Sequence, residues 1–244
     1  MAGLTQIALQ LNRDISALHF RTPVTVVYNP LEYAWSIYKA YISEYGNGNK
    51  RVLFLGMNPG PWGMAQTGVP FGEIAHVRDW LGIDGPVGRP DEEHPKRPIQ
   101  GFACSRSEVS GRRLWSLFRA KYGNPRQFFA DHFVANYCPL VFMEESGRNR
   151  TPDKLPVDEK KPLFDACDRH LLAMIENLKP EWLVGIGAFA EMRLRSVLDK
   201  YDKSMSSSPL PTITRILHPS PASPAANRDW KGTVTRQLKE LSIW

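Results

Sequence analysis

The chain has 244 residues, 42% of them hydrophobic, with 31 Lys and Arg against 25 Asp and Glu and a net charge of +6. It is long enough for a sizeable core, no Gly/Ser-rich or Pro-rich linker divides it, and no apolar run approaches the roughly 20 residues of a membrane span. Cys104, Cys138 and Cys167 lie far apart without C-x-x-C spacing, which argues against a disulfide framework, a zinc ribbon or a four-cysteine iron–sulfur cluster.

The expectation is one domain over residues 1–244, soluble and intracellular, in cytoplasm, nucleoid or nucleus, with a mild positive field that suits a polyanionic partner. Residues 1–20 carry Arg13 and Asp14 inside an apolar pattern and no basic leader, so they read as an amphipathic helix. Four short apolar runs carry the strand signal, namely 51–55, 133–137, 182–186 and 212–217. Helical spacing fills 110–122, 158–177 and 188–201 between them. Apolar runs alternating with helices imply an α/β fold with a parallel sheet covered on both faces. Two polar excursions, 84–97 and 203–211, are too short to separate domains.

Ligands of open parallel sheets sit beyond the carboxyl ends of the strands. Those ends read Gly56-Met57-Asn58, Asn136-Tyr137-Cys138-Pro139, Gly185-Ile186-Gly187 and His218-Pro219-Ser220-Pro221. The third matches a loose dinucleotide fingerprint with Ala190, but it lies on the third strand and no acid-tipped strand follows; tight strand-to-helix packing accounts better for its glycines. The other three supply two amides and an imidazole with no acid among them. A lone Asn at a strand end more often caps backbone, and a lone His is more often a satisfied buried ring, but three such groups on one rim point to a site. Glu73 and Asp79, at the helix that follows the first loop, read as a cap and a solvated face.

The Gly- and Pro-punctuated run 56–72, together with Phe133-Val134-Ala135-Asn136-Tyr137-Cys138-Pro139-Leu140 and Leu217-His218-Pro219-Ser220-Pro221, resembles the single-strand-selective monofunctional uracil-DNA glycosylases. The similarity extends through Val77-Arg78-Asp79-Trp80-Leu81-Gly82-Ile83, His94-Pro95-Lys96-Arg97-Pro98, Ser107-Glu108-Val109-Ser110-Gly111 and Ser146-Gly147-Arg148-Asn149, so it spans roughly residues 52–230. It implies a three-layer α/β/α sandwich around a central four-stranded parallel sheet. It also implies excision of uracil and of oxidised uracils such as 5-hydroxymethyluracil from DNA, without a metal or cofactor.

The resemblance assigns Phe71 to stacking on an extruded base and Asn136 to reading it. The Asn136 carbonyl can accept from N3–H of uracil while its amide donates to O4, a pairing that cytosine frustrates. His218 can donate to O2 as negative charge grows there, and Asn58, which is not basic, can position water. With no lysine at a strand end a Schiff base is unsupported, so the enzyme should be monofunctional. Gly60 and Met64 are expected to flank the C5 edge, with Met57 either lining the pocket or filling core.

DNA contact is expected from Pro219, Ser220, Pro221, Ala222, Ser223 and Arg228, with Ala222 standing where many animal members have Arg. Ser107, Ser110, Arg112 and Arg113 are candidate phosphate contacts, although a solvated helix face explains the arginines equally well. The expected partners are single- and double-stranded DNA carrying damaged bases, with no membrane, and the expected state is a monomer. Two other readings stay open: a glycosylase acting mainly on xanthine or hypoxanthine, and a module that holds damaged or single-stranded DNA without cleaving it.

Overall fold

Val52-Leu53-Phe54-Leu55 is apolar at every position because the strand it forms is covered on both faces. The computed structural model describes residues 3–201 and 210–244, so most of the expected 203–211 loop lies outside the described residues. The described chain begins α1 (Leu4–Ser16), β1 (Val24–Tyr28), α2 (Pro30–Tyr33), α3 (Trp35–Tyr45), β2 (Val52–Gly56), α4 (Met64–Thr67) and α5 (Ile74–Asp79). It continues through α6 (Val109–Tyr122), α7 (Pro125–Asp131), β3 (His132–Asn136), β4 (Val141–Glu144), β5 (Asn149–Arg150) and α8 (Val157–Leu178). It closes with β6 (Trp182–Ile186), α9 (Ala188–Tyr201), β7 (Thr212–Ile216) and α10 (Pro224–Glu240), the last broken by extended backbone at Asp229.

The four strands expected from the sequence form one sheet in the order β3-β2-β6-β7, parallel throughout, with ends shifted by at most one residue. From β2 the chain moves outward to β3; from β6 it moves outward to β7 on the other side. The connections leaving β2 and β6 therefore diverge, which opens a crevice beyond their carboxyl ends.

Register sorts the side chains into two faces. Val52 pairs with His132, so Phe54 and the His132 ring share a face, with centroids 6.0 Å apart. On that face Phe54 meets Phe118 of α6 and Phe128 of α7 at 5.2 and 6.4 Å. On the other face, Tyr137, just past β3, packs edge-on against Phe164 of α8 and Phe189 of α9. Such pairs contribute about 0.5–1.5 kcal/mol each beyond area burial. The result is the three-layer sandwich. Gly185 is explained here too: any Cβ would collide with the Glu191 backbone of α9, so that glycine serves close packing of strand against helix.

Helix α1 buries Leu4, Ile7, Ala8, Leu11 and Ile15, a single stripe at helical spacing, and packs on α8. Among the described residues no helix is long and apolar enough to cross a membrane.

A second sheet, β1-β4-β5, was not expected from the sequence. It is antiparallel and pairs Val27 with Phe142 across more than a hundred residues of chain. Val26, Tyr28, Val141 and Met143 form a small separate core with Ala65 and Ile99, which anchors the loop after β2. The Tyr33 hydroxyl donates to the Ala65 carbonyl at 2.6 Å, and the Gln66 amide donates to the carbonyls of Pro61 and Pro98. The second sheet thus holds the Gly/Pro-rich loop in place over the first.

Candidate active site

A cavity of about 390 Å³ lies at the crevice, within the roughly 300–1,000 Å³ usual for small-molecule sites. All four strand ends reach it: Met57 and Asn58 after β2, Asn136 at the end of β3, Ile186 and Gly187 at β6, and His218 after β7.

Asn58 donates through Nδ2 to the Leu140 carbonyl at 3.1 Å. This bond uses one of its two amide hydrogens and fixes which end of the amide is NH2; the carbonyl oxygen is its acceptor, which can accept from water but cannot remove a proton as a carboxylate would.

Phe71 lines the cavity with only 8% of its surface exposed. Its φ is +53°, a left-handed conformation that costs a bulky residue on the order of 1–3 kcal/mol. Two donors hold it there, since its carbonyl accepts from Trp115 Nε1 at 3.0 Å and from the Glu73 N–H at 2.7 Å. Gly56 makes room for the ring, because a Cβ there would stand 2.6 Å from Phe71 Cε2 and 2.5 Å from Asn136 Oδ1.

The Asn136 amide nitrogen points to Met64 Sδ at 3.4 Å. A thioether accepts and never donates, so this contact tells the two ends of the amide apart: NH2 toward Met64, and Oδ1 buried with no hydrogen bond among the described residues. Met64 itself is 2% exposed and does not line the cavity. The Met64 side chain, expected on the C5 edge, lies against the Asn136 amide and outside the cavity lining.

His218 accepts at Nδ1 from the Ser220 backbone N–H at 3.1 Å, which puts the ring proton on Nε2. Burial lowers its pKa, so the ring is neutral at neutral pH and Nε2–H is its one donor.

Three cavity-lining polar residues, Asn149, Thr151 and Glu108, escaped sequence reasoning. Asn149 donates to the Pro59 carbonyl at 3.0 Å and leaves Oδ1 buried and unpaired among the described residues. Glu108 brings an acid to the rim from a helix start, although the strand ends supply none. Burial, then the charge of Glu73, raises its pKa to about 7. A glutamate before a helix reads locally as a cap, and nothing in its neighbours signals that its carboxyl turns inward.

Glu73 is the cap it was expected to be, accepting from the His76 N–H at 3.1 Å. Burial alone would raise its pKa, but hydrogen bonds from His76 and Ser107 outweigh it and bring the value down to about 2. Asp79 is exposed and paired with Arg78.

The expected DNA contacts divide. Pro221, Ala222 and Arg228 are exposed, and Ser110 and Ser220 line the cavity. Pro219 is buried, Ser223 caps α10 by accepting from Ala226 N–H at 3.3 Å, and Ser107 donates to Glu73 at 2.8 Å, so these three serve the fold. Arg113 is not a free phosphate contact either, since it donates to the Pro219 carbonyl and to Asn227 Oδ1, both at 3.0 Å, and braces the loop that carries His218.

A four-stranded parallel sheet between helix layers, with an aromatic face, two oriented amides and a neutral imidazole at its strand ends, is consistent with one family, whose model matches residues 43–239: the chain belongs to the uracil DNA glycosylase superfamily. Within it, the chain is 47% identical over 241 residues to the single-strand selective monofunctional uracil DNA glycosylase of Mus musculus, covering 99% of this chain and 84% of that protein. It is equally similar to the enzyme of the same name from Bos taurus, over 86% of that protein's length. The crystal structure of SMUG2 from Pedobacter heparinus shares the fold, with a TM-score of 0.70 at 17% identity over all of this chain and 98% of that one.

Proposed function

We propose that this cavity hydrolyses the N-glycosidic bond of uracil, and of uracils oxidised at C5 such as 5-hydroxymethyluracil, in DNA, leaving an abasic site for base excision repair. The observation that carries this reading is the meeting of Phe71, Asn136, Asn58 and neutral His218 in one cavity with room for a nucleobase. A base turned out of the stack lies against Phe71. Asn136 Oδ1 accepts from its N3–H, and the second amide hydrogen, free of Met64, donates to O4. The C1′–N1 bond breaks with its electron pair leaving on the base, and His218 Nε2–H stabilises the charge that grows on O2. Water held by the Asn58 carbonyl then adds to C1′ and gives its proton to solvent or to the departing base. Because Asn58 is not a base, leaving-group stabilisation carries most of the barrier reduction.

The enzyme works as one domain and a single chain on single- and double-stranded DNA, meeting the strand through Pro221, Ala222 and Arg228. The names of the curated relatives favour single strands. The test uses end-labelled single- and double-stranded oligonucleotides carrying uracil, 5-hydroxymethyluracil, hypoxanthine, xanthine or thymine. Uracil strands that break only after alkali support the proposal; release of purines but not uracil, or binding without release, overturns it.

A further inference from the structure

Half-buried Trp62 carries two guanidinium groups on one ring. Arg97 Cζ lies 5.2 Å and Arg106 Cζ 5.0 Å from the centre of its indole. Like charges gathered in this way repel, and the cluster supplies no counter-charge. The Arg97 guanidinium donates to the carbonyl of its neighbour Lys96 at 2.9 Å, and its Nε is buried without a hydrogen-bond partner among the described residues. Arg106 is exposed, and no carboxylate pairs with either arginine among the described residues. The acids beside them in the chain are turned elsewhere: Glu93 pairs with Arg89 at 3.9 Å, and Glu108 lies against Gly60 and Gly63.

Separate segments bring these residues together, and one side chain ties them. The Gln66 amide donates to the carbonyls of Pro61, next to Trp62, and of Pro98, next to Arg97, while its Oε1 accepts from the Gln100 N–H at 2.8 Å. The Tyr28 hydroxyl fixes the Arg97 backbone by donating to its carbonyl at 2.7 Å. The flat indole then holds planar groups that would otherwise sample many rotamers.

The cluster borders the cavity in two places. Trp62 is two residues from Gly60, and Arg97 packs by Gly147, where a Cβ would stand 3.6 Å from Arg97 Cζ and which is two residues from Asn149; both Gly60 and Asn149 line the cavity. The His218 loop reaches the same cavity from β7, two strands away from β2.

We infer that Trp62, Arg97 and Arg106 form a phosphate clamp for the DNA strand beside the extruded nucleotide, the guanidinium groups binding phosphodiester oxygens and the indole holding them in place. A guanidinium presents paired N–H donors that match two phosphate oxygens, and the phosphodiester is the anion that the substrate repeats whatever its bases. An anion between the two arginines also removes their mutual repulsion. The clamp grips one flank of the strand, and the loop that carries His218 meets the other.

This inference rests on the DNA glycosylase reading above, so binding and excision are measured separately. Anisotropy titrations between 50 and 200 mM salt use single-stranded oligonucleotides with a central 2′-fluoro-2′-deoxyuridine, whose fluorine disfavours the sugar cation and blocks excision. One strand is full length, one keeps only the 5′ flank and one only the 3′ flank. Arg106→Ala is expected to weaken binding of the full strand about 3- to 10-fold and to reduce the slope of log K against log salt by about 0.7, the value for one phosphate on a single strand. That difference should persist on one shortened strand and vanish on the other. Arg97→Gln should behave alike, Trp62→Leu should weaken the same flank, and Trp62→Phe, which keeps an aromatic face, should bind as the wild type does; thermal melting checks the folding of each. An unchanged slope in Arg106→Ala, a loss shared equally by both shortened strands, or wild-type affinity in Trp62→Leu overturns the clamp. A wild-type enzyme that binds these strands but leaves ordinary uracil strands intact overturns the glycosylase reading, and the flank measurements still decide the clamp.

Discussion

The backbone N–H of Ser220 donates to Nδ1 of His218, two residues earlier, at 3.1 Å. This bond uses the Pro-flanked turn Pro219-Ser220-Pro221 to choose the tautomer of the ring. Protonating Nδ1 would set two donors against each other, and burial opposes the charged ring as well. The excision rate on uracil strands is therefore expected to hold as pH falls through 6.5, the ordinary imidazole value, and to decline only below it. His218→Leu should lower the single-turnover rate about 10²- to 10³-fold with little change in oligonucleotide Kd, because the charge it meets develops in the transition state.

Asn58→Ala removes the oxygen proposed to hold water and should cost on the order of 10²-fold in rate. Asn58→Asp keeps an oxygen but loses the donor to Leu140, and sets a carboxylate against that carbonyl. Its rate should fall between wild type and Ala. Single-turnover assays on uracil strands rank the three, and full activity in the Ala variant would remove Asn58 from the mechanism.

Met64→Leu conserves volume, so its stability cost should stay below about 1.5 kcal/mol. It deletes the acceptor that distinguishes the two ends of the Asn136 amide. Discrimination of uracil from cytosine is expected to weaken while folding persists, as read by parallel excision assays and a melting curve.

Gly56→Ala places a methyl group 2.5 Å from Asn136 Oδ1 and 2.6 Å from the Phe71 ring. Overpacking of this kind costs about 1–3 kcal/mol, and here it also displaces both side chains proposed to contact the base. Urea denaturation should show the stability loss, and excision should fall further than global stability accounts for.

His132 and His170 are buried, and burial is the main cause that lowers both to about 4. The unfolded chain takes up these protons near pH 6.5, while the folded chain resists until about 4, so their stability contribution is complete above 6.5 and drains away as pH falls toward 4. Each ring accounts for up to about 3 kcal/mol of that loss. Denaturant titrations between pH 7 and pH 4.5 should show the slope, and His170→Leu should make it shallower.

The four parallel strands and the polar groups at their ends, Asn58, Asn136 and His218, could be read from the sequence because their signals are local. An unbroken apolar run marks a strand covered on both faces, and the Gly/Pro segment that follows marks its end. The second sheet has no such local signal although Val24–Tyr28 is rich in β-branched residues, because β1 pairs with β4, a four-residue strand more than a hundred residues away, which in turn pairs with the two-residue β5.

What the sequence determined alone, then, is the α/β framework and which side chains stand at the strand ends, since both follow from residue order along the chain. Tertiary structure decided the rest: that Met64 lies against the Asn136 amide, that Arg113 braces the His218 loop, that Ser220 selects the His218 tautomer, and that Glu108 brings an acid to a rim whose strand ends have none. Each depends on where a side-chain atom falls against backbone or side chain from another part of the fold. Side-chain periodicity tells which face a residue occupies, but hydrogen-bond partners are set by distances of about 3 Å that only the packed fold defines.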